Sequence, residues 1–334
     1  MCPFLWTNFL YTRSESKRSH LLLLKADKQV VAPRLKRLCM NGVNDHQSIL
    51  FRVWTLGTFR VERRTAEMWE PIAEKAWGRS PTFIPCTKSL LCFLLTAHKR
   101  TVTRMSIMQR LWSQDIASSE SYSYRANARL RALLKTPAGH SLLRTTGERL
   151  LLADQASIWV DADHAEALVK EAETIGPTQP AAIPLLEEAS DLFQRGRFLE
   201  QEDGTWCIGR RGEIERLACR CHHWVADAYL AAKDDKAAEA IANLLLRDDP
   251  LDETGRRILL LSLHRQGHRR EAVQAYQEAK DLYQQQGLPI PEEIEALSQS
   301  IQGTGKHPHR EERHSPDAAS LQLSDSSYRN ALYA

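Results

Sequence analysis

The side chains best placed to do chemistry fall within one stretch, Thr103 to Leu152. Tyr124, Arg125, Arg129, Arg131 and Lys135 sit at spacings that, on a helix, put them opposite an apolar stripe of Tyr122, Ala126, Leu130, Leu133 and Leu134. Arg144, Thr145 and Arg149 follow around Gly147. An arginine can donate two parallel N–H bonds to guanine O6 and N7 or grip a phosphate, and a lysine holds phosphate as a point charge. Between Lys99 and Arg149 there are ten Lys/Arg against three Asp/Glu, a local +7 where the whole chain carries only +3. That concentration is what a polyanion attracts. The plain alternative is the solvated basic face of an ordinary helix.

A second constellation is weaker. Cys207, Cys219, Cys221, His222 and His223 have the residue types of a zinc site, but only Arg220 separates Cys219 from Cys221. On a helix those two point about 200° apart, so no metal site is expected. Catalysis finds no support either. The chain has no glycine-rich phosphate loop of the GxGxxG or GxxxxGKS/T kind and no GxSxG elbow, and the carboxylates of 161–203 read as a solvated helix face. No catalytic residue, cofactor or enzyme activity is expected.

The elements that must carry the basic residues are legible. Ile107, Met108, Leu111 and Trp112 predict a helix from about Thr103 to Trp112, with the Thr103 hydroxyl as N-cap. A second helix runs from Ser118 or Ser119 to about Lys135, stopped by Pro137 and Gly139. LLRTTGERLLL predicts a hairpin turning at Gly147. Two helices at a turn followed by a basic hairpin is the pattern of a winged helix-turn-helix, whose second helix enters the major groove. Upstream, FRVWTLGTFRVE alternates around Gly57 as a small antiparallel sheet would. Residues 66–85 read as irregular, and Lys88 to His98 as a buried helix.

From Val160 the character changes, and 161–203 holds eleven Asp/Glu against three Lys/Arg. The signals beyond are helical to about Ile301. Ala237, Ala238, Ile241 and Leu244 match Ala272, Val273, Tyr276 and Ala279 at a shift of 35 residues, near the period of tetratricopeptide hairpins. The predicted fold is mainly α: a winged helix-turn-helix domain with a small β-sheet and hairpin at 50–157, then an all-α tetratricopeptide-like repeat domain at 158–302. A basic arm at 1–49 and a polar tail at 303–334 are expected to be disordered. Seven cysteines without framework spacing, no apolar run of bilayer length and no export signal predict a cytoplasmic protein without membrane contact.

With both halves in view, the sequence resembles the bacterial antibiotic-regulatory-protein (SARP) family over about Phe51 to Ile301. The resemblance rests on LGTFRV, Lys88 to Leu95, VTRMSIMQRLW, ARLRALL and LLRTTGERLLL in the first half. In the second it rests on VDADHAEALVKEAE, RGRFLE, RDDPLDETGRRILLLSLHRQGHRREAVQAY and YQQQGLPIPEE. It implies an OmpR-type winged helix joined to a bacterial transcriptional activator domain. The implied function is a sequence-specific transcriptional regulator, an activator, with double-stranded DNA, RNA polymerase and a second copy of itself as partners. A repeat scaffold without specific DNA binding is the rival expectation. Steep loss of DNA affinity with salt separates the two.

Overall fold

The computed structural model describes residues 49–65, 68–78, 83–112 and 116–303. The expected arm and tail lie almost wholly outside them. Strands β1 (Phe51–Trp54), β2 (Arg60–Arg64) and β3 (Trp69–Pro71) form an antiparallel sheet, so the stretch read as irregular contains a strand. It also contains a single helical turn, α1 (Glu74–Trp77), and the first residues of α2 (Phe83–Thr96). Trp77 is buried and explains why this short helix is held at all. β4 (Thr101–Thr103) leads into α3 (Arg104–Leu111), and the Thr103 hydroxyl accepts from Ser106 N at 3.1 Å, as predicted. Next come α4 (Ile116–Leu133), β5 (Leu143–Thr146) and β6 (Arg149–Leu152). β4 pairs with β6, making the hairpin three-stranded. Leu90, Leu91, Leu94, Ile107, Ala126, Leu130, Leu134, Leu143 and Leu150 close one core beneath these elements.

The two halves are not beads on a string. β7 (Ile158–Val160) pairs in parallel with β1, so a cut between 157 and 158 would remove the edge strand of the first sheet. α5 (Asp161–Ile175) starts directly from that strand. Asp161, fully buried at its first turn, accepts from Thr55 N and Thr55 Oγ1, both at 2.7 Å, from Leu56 N at 3.0 Å and from Ala162 N at 2.9 Å. Burial pushes its pKa up, and the Thr55 donors act against that shift. Two of the quoted motifs meet here: LGTFRV supplies Leu56, which bridges to Phe198 of RGRFLE. Gly57 N donates to Arg197 O at 3.0 Å and Leu199 N to Thr55 O at 2.7 Å. A Cβ on Gly57 would lie 2.3 Å from Arg195 O, and one on Gly196 would lie 2.7 Å from Gly57 Cα, so both positions require glycine. Leu56 and Cys92 from the first half share a core with Ala162, Leu186 and Phe198 from the second.

The remaining helices are α6 (Ile183–Phe193), α7 (Ile208–Ala231), α8 (Asp235–Asp248), α9 (Glu253–Arg265), α10 (Arg269–Gln285) and α11 (Glu292–Gly303). From α5 onward each packs on its sequence neighbour, as stacked hairpins do. The repeat is one residue shorter than the sequence match implied. α8 starts at Asp235 and α10 at Arg269, and buried Ala238 and Leu245 correspond to buried Ala272 and Ala279, each an offset of 34. Matching alanine to alanine without knowing which face is buried slipped the register by one.

Candidate nucleic-acid interface

α4 buries Ser123, Ala126, Leu130 and Leu133 on one side. Its opposite side exposes Ser121, Tyr124, Arg125, Ala128 and Ala132, with Lys135 just beyond the helix end. Tyr124 is 73% exposed. The small residues Ala128 and Ala132 leave this ridge low enough to approach a groove wall closely. Exposed Arg125 has its guanidinium 4.9 Å from the centre of the Phe83 ring, a cation–π contact.

The predicted basic residues are not equivalent. Arg129 does not project freely. Its Nε donates to Ala76 O at 2.6 Å and its Nη2 to Lys75 O at 3.2 Å, using the unsatisfied carbonyls at the end of α1. Arg131 also turns sideways, and its Nη2 donates to Thr145 Oγ1 on the hairpin. From the other flank, Arg63 on β2 donates to Leu133 O in the last turn of α4, where a cation opposes the negative end of the helix dipole. Three arginines thus fix α4: one to α1, one to the hairpin and one to the first sheet. The anchoring role of Arg63 and Arg129 was invisible in the sequence, because their partners lie 70 and 53 residues away.

The hairpin turns at Gly147, whose φ of +57° suits glycine. Leu143, Leu150 and Leu152 face the core, while Arg144, Thr145, Thr146, Glu148 and Arg149 are exposed. Arg104 N donates to Glu148 O at 2.8 Å, tying the turn to the start of α3. Among the described residues no carboxylate pairs with Arg125, Lys135, Arg144 or Arg149, although Arg104 is held by Glu120 at 2.9 Å. The eight predicted residues therefore divide. Tyr124, Arg125, Lys135, Arg144 and Arg149 form the outward surface, and Arg129, Arg131 and Thr145 hold it in shape. What this arrangement can do is present exposed cations and an aromatic hydroxyl to a phosphate-lined groove.

The cysteine and histidine residues weighed for zinc do not converge as a group. Cys207 Sγ lies 2.9 Å from Gly204 O, Cys221 Sγ points to Leu186 O at 3.4 Å, and the His222 ring meets Phe193 edge-on at 6.3 Å. Cys219 and His223 point another way, toward Asp252. No helix among the described residues is long and apolar enough to cross a membrane.

Comparison with known proteins bears on the second half first. Residues 160–302 match the family model of the bacterial transcriptional activator domain. No curated protein matches the chain. Among solved structures, the fold is similar to one described as Mycobacterium tuberculosis EmbR in complex with low affinity phosphopeptide. The TM-score is 0.58 at 18% identity, over 78% of this chain and 66% of that one, so the chain spans just under two thirds of that protein's length. The match over 160–302 bears out the activator-domain half of the expected resemblance, and the likeness of fold bears out the predicted mainly α architecture, a small sheet and hairpin followed by helices.

Proposed function

From an activator domain at 160–302 that follows an exposed basic helix and hairpin, we propose that this chain is a sequence-specific, double-stranded-DNA-binding transcriptional activator. α4 enters the major groove. Tyr124 and Arg125 contact base edges or the groove wall, and Lys135 grips a phosphate at the helix end. The hairpin lays Arg144 and Arg149 on the adjacent backbone. The repeat domain presents its stacked helices to RNA polymerase or to a second copy on the DNA. The observation that carries this reading is the unpaired basic surface shared by α4 and the hairpin, which the Arg131–Thr145 bond joins. Rigid placement matters because a base contact misplaced by an ångström loses its two-bond geometry.

Footprinting on the DNA flanking the protein's own gene, at two salt concentrations, tests the proposal. A protected segment that fades as salt rises supports it, because each neutralised phosphate releases counterions. Protection of nothing, with binding that ignores salt, would favour the repeat scaffold.

A further inference from the structure

We propose that Cys219, His223 and Asp252 form a binding site for one divalent transition-metal ion, zinc being the best chemical match. Cys219 and His223 stand one turn apart on α7, so their side chains share a face. The helix delivers them to Asp252, which lies in the turn between α8 and α9. Cys219 Sγ is 3.9 Å from both His223 Nε2 and Asp252 Oδ2, and those two atoms are 2.8 Å apart. A tetrahedral zinc with sulfur at about 2.3 Å and nitrogen or oxygen at about 2.0–2.2 Å separates its ligands by roughly 3.3–3.7 Å. Two edges of the triangle thus need to close slightly, and the His–Asp edge must open by about half an ångström.

The donor set selects the ion. A thiolate and an imidazole disfavour magnesium and calcium, which take oxygen ligands, while the mixture of sulfur, nitrogen and oxygen suits zinc. One thiolate and one carboxylate neutralise a divalent ion. Asp252 is already oriented: its Oδ1 accepts from Gly255 N at 2.6 Å as the N-cap of α9, which leaves Oδ2 to face the other two ligands. The His223 side chain is 28% exposed and that of Asp252 10%, so the ion can enter and a water or a partner's group can complete the fourth position. Bound metal would fasten α7 to the turn before α9. That joins one repeat hairpin to the next inside the activator domain.

The test is cobalt(II) titration of the reduced full-length chain, with Cys219→Ser, His223→Gln and Asp252→Asn alongside. Asn keeps the cap on α9, so that variant separates lost ligation from lost folding. The expected result is one cobalt per chain with a thiolate-to-metal charge-transfer band, displaced by zinc and absent from Cys219→Ser. Affinity should fall at least tenfold in the other two variants, and zinc should raise their melting temperatures less than it raises the parent's. A charge-transfer band that persists in Cys219→Ser would place the metal on other thiols and overturn the proposal. So would the absence of any band, or a melting temperature that zinc leaves unmoved.

Discussion

Arg125 and Arg129 are one helical turn apart on α4, yet they do opposite work. Arg129→Ala removes two charged hydrogen bonds to the end of α1 and should lower stability by about 1–2 kcal/mol, read by thermal melts. Arg125→Ala removes an exposed side chain that rests against the Phe83 ring, so it should melt like the parent and lose ~1–3 kcal/mol of affinity for the true DNA site. The sequence showed both as outward arginines, because helical period gives a direction but not what α1 places there. Titration separates a second pair of neighbours. His222 is buried, and its pKa is lowered to about 4 mainly by that burial. The unfolded chain therefore takes the proton first. The His222 contribution should be complete above pH 6.5 and fall by up to about 3 kcal/mol as pH drops from 6.5 to 4, which urea denaturation over that range will show. His223 acts in the other direction: its raised pKa adds stability that is fully present below 6.5 and is lost as pH rises through about 10. His222→Phe should remove the acid-side loss and leave the alkaline one.

Among the elements, periodicity identified those that bury one clean stripe. α3, α4 and the hairpin at Gly147 emerge where the pattern put them, with α4 beginning at Ile116 rather than at Ser118 or Ser119. β3 and α1 were missed because three or four residues carry no measurable period, and they are held by contacts made elsewhere, Trp77 in the core and Arg129 on α1. β4 was missed for the same reason, as its pairing to β6 joins residues far apart in sequence. The repeat register of 34 exposes one irregularity. Gly267, with φ +79°, precedes α10 where Lys233, with φ +60°, precedes α8. A lysine in the left-handed region is strained where glycine is not. Lys233→Gly should therefore leave the fold unchanged and raise stability by about 0.5–1 kcal/mol, measured by chemical denaturation.

On the scale of the whole molecule, the change of charge near residue 160 marked a real switch from basic to acidic but not a separation. Composition could not reveal that β7 belongs to the first sheet, or that Asp161 gathers the donors at the end of β1. The two halves are joined through the Gly57–Gly196 contact, where neither glycine has room for a side chain. Gly57→Ala should destabilise the chain by about 2 kcal/mol or more, through its positive φ and the clash with Arg195 O. Both halves should lose structure in one melt, because Leu56 sits in a core they share. This joint gives the repeat domain a fixed direction relative to α4, which the proposed function needs if one face holds DNA and the other meets a partner. The proposed function requires that the outward cations of α4 and the hairpin hold DNA. It is tested most directly by fluorescence anisotropy of the intact chain and of Arg125→Ala/Arg144→Ala/Arg149→Ala on footprinted and scrambled duplexes across a salt series. Expected are equal melting temperatures, at least hundredfold weaker binding to the footprinted duplex, and a plot of log affinity against log salt flatter by about two to three units. Parent-like affinity and an unchanged salt slope in the triple variant would contradict it.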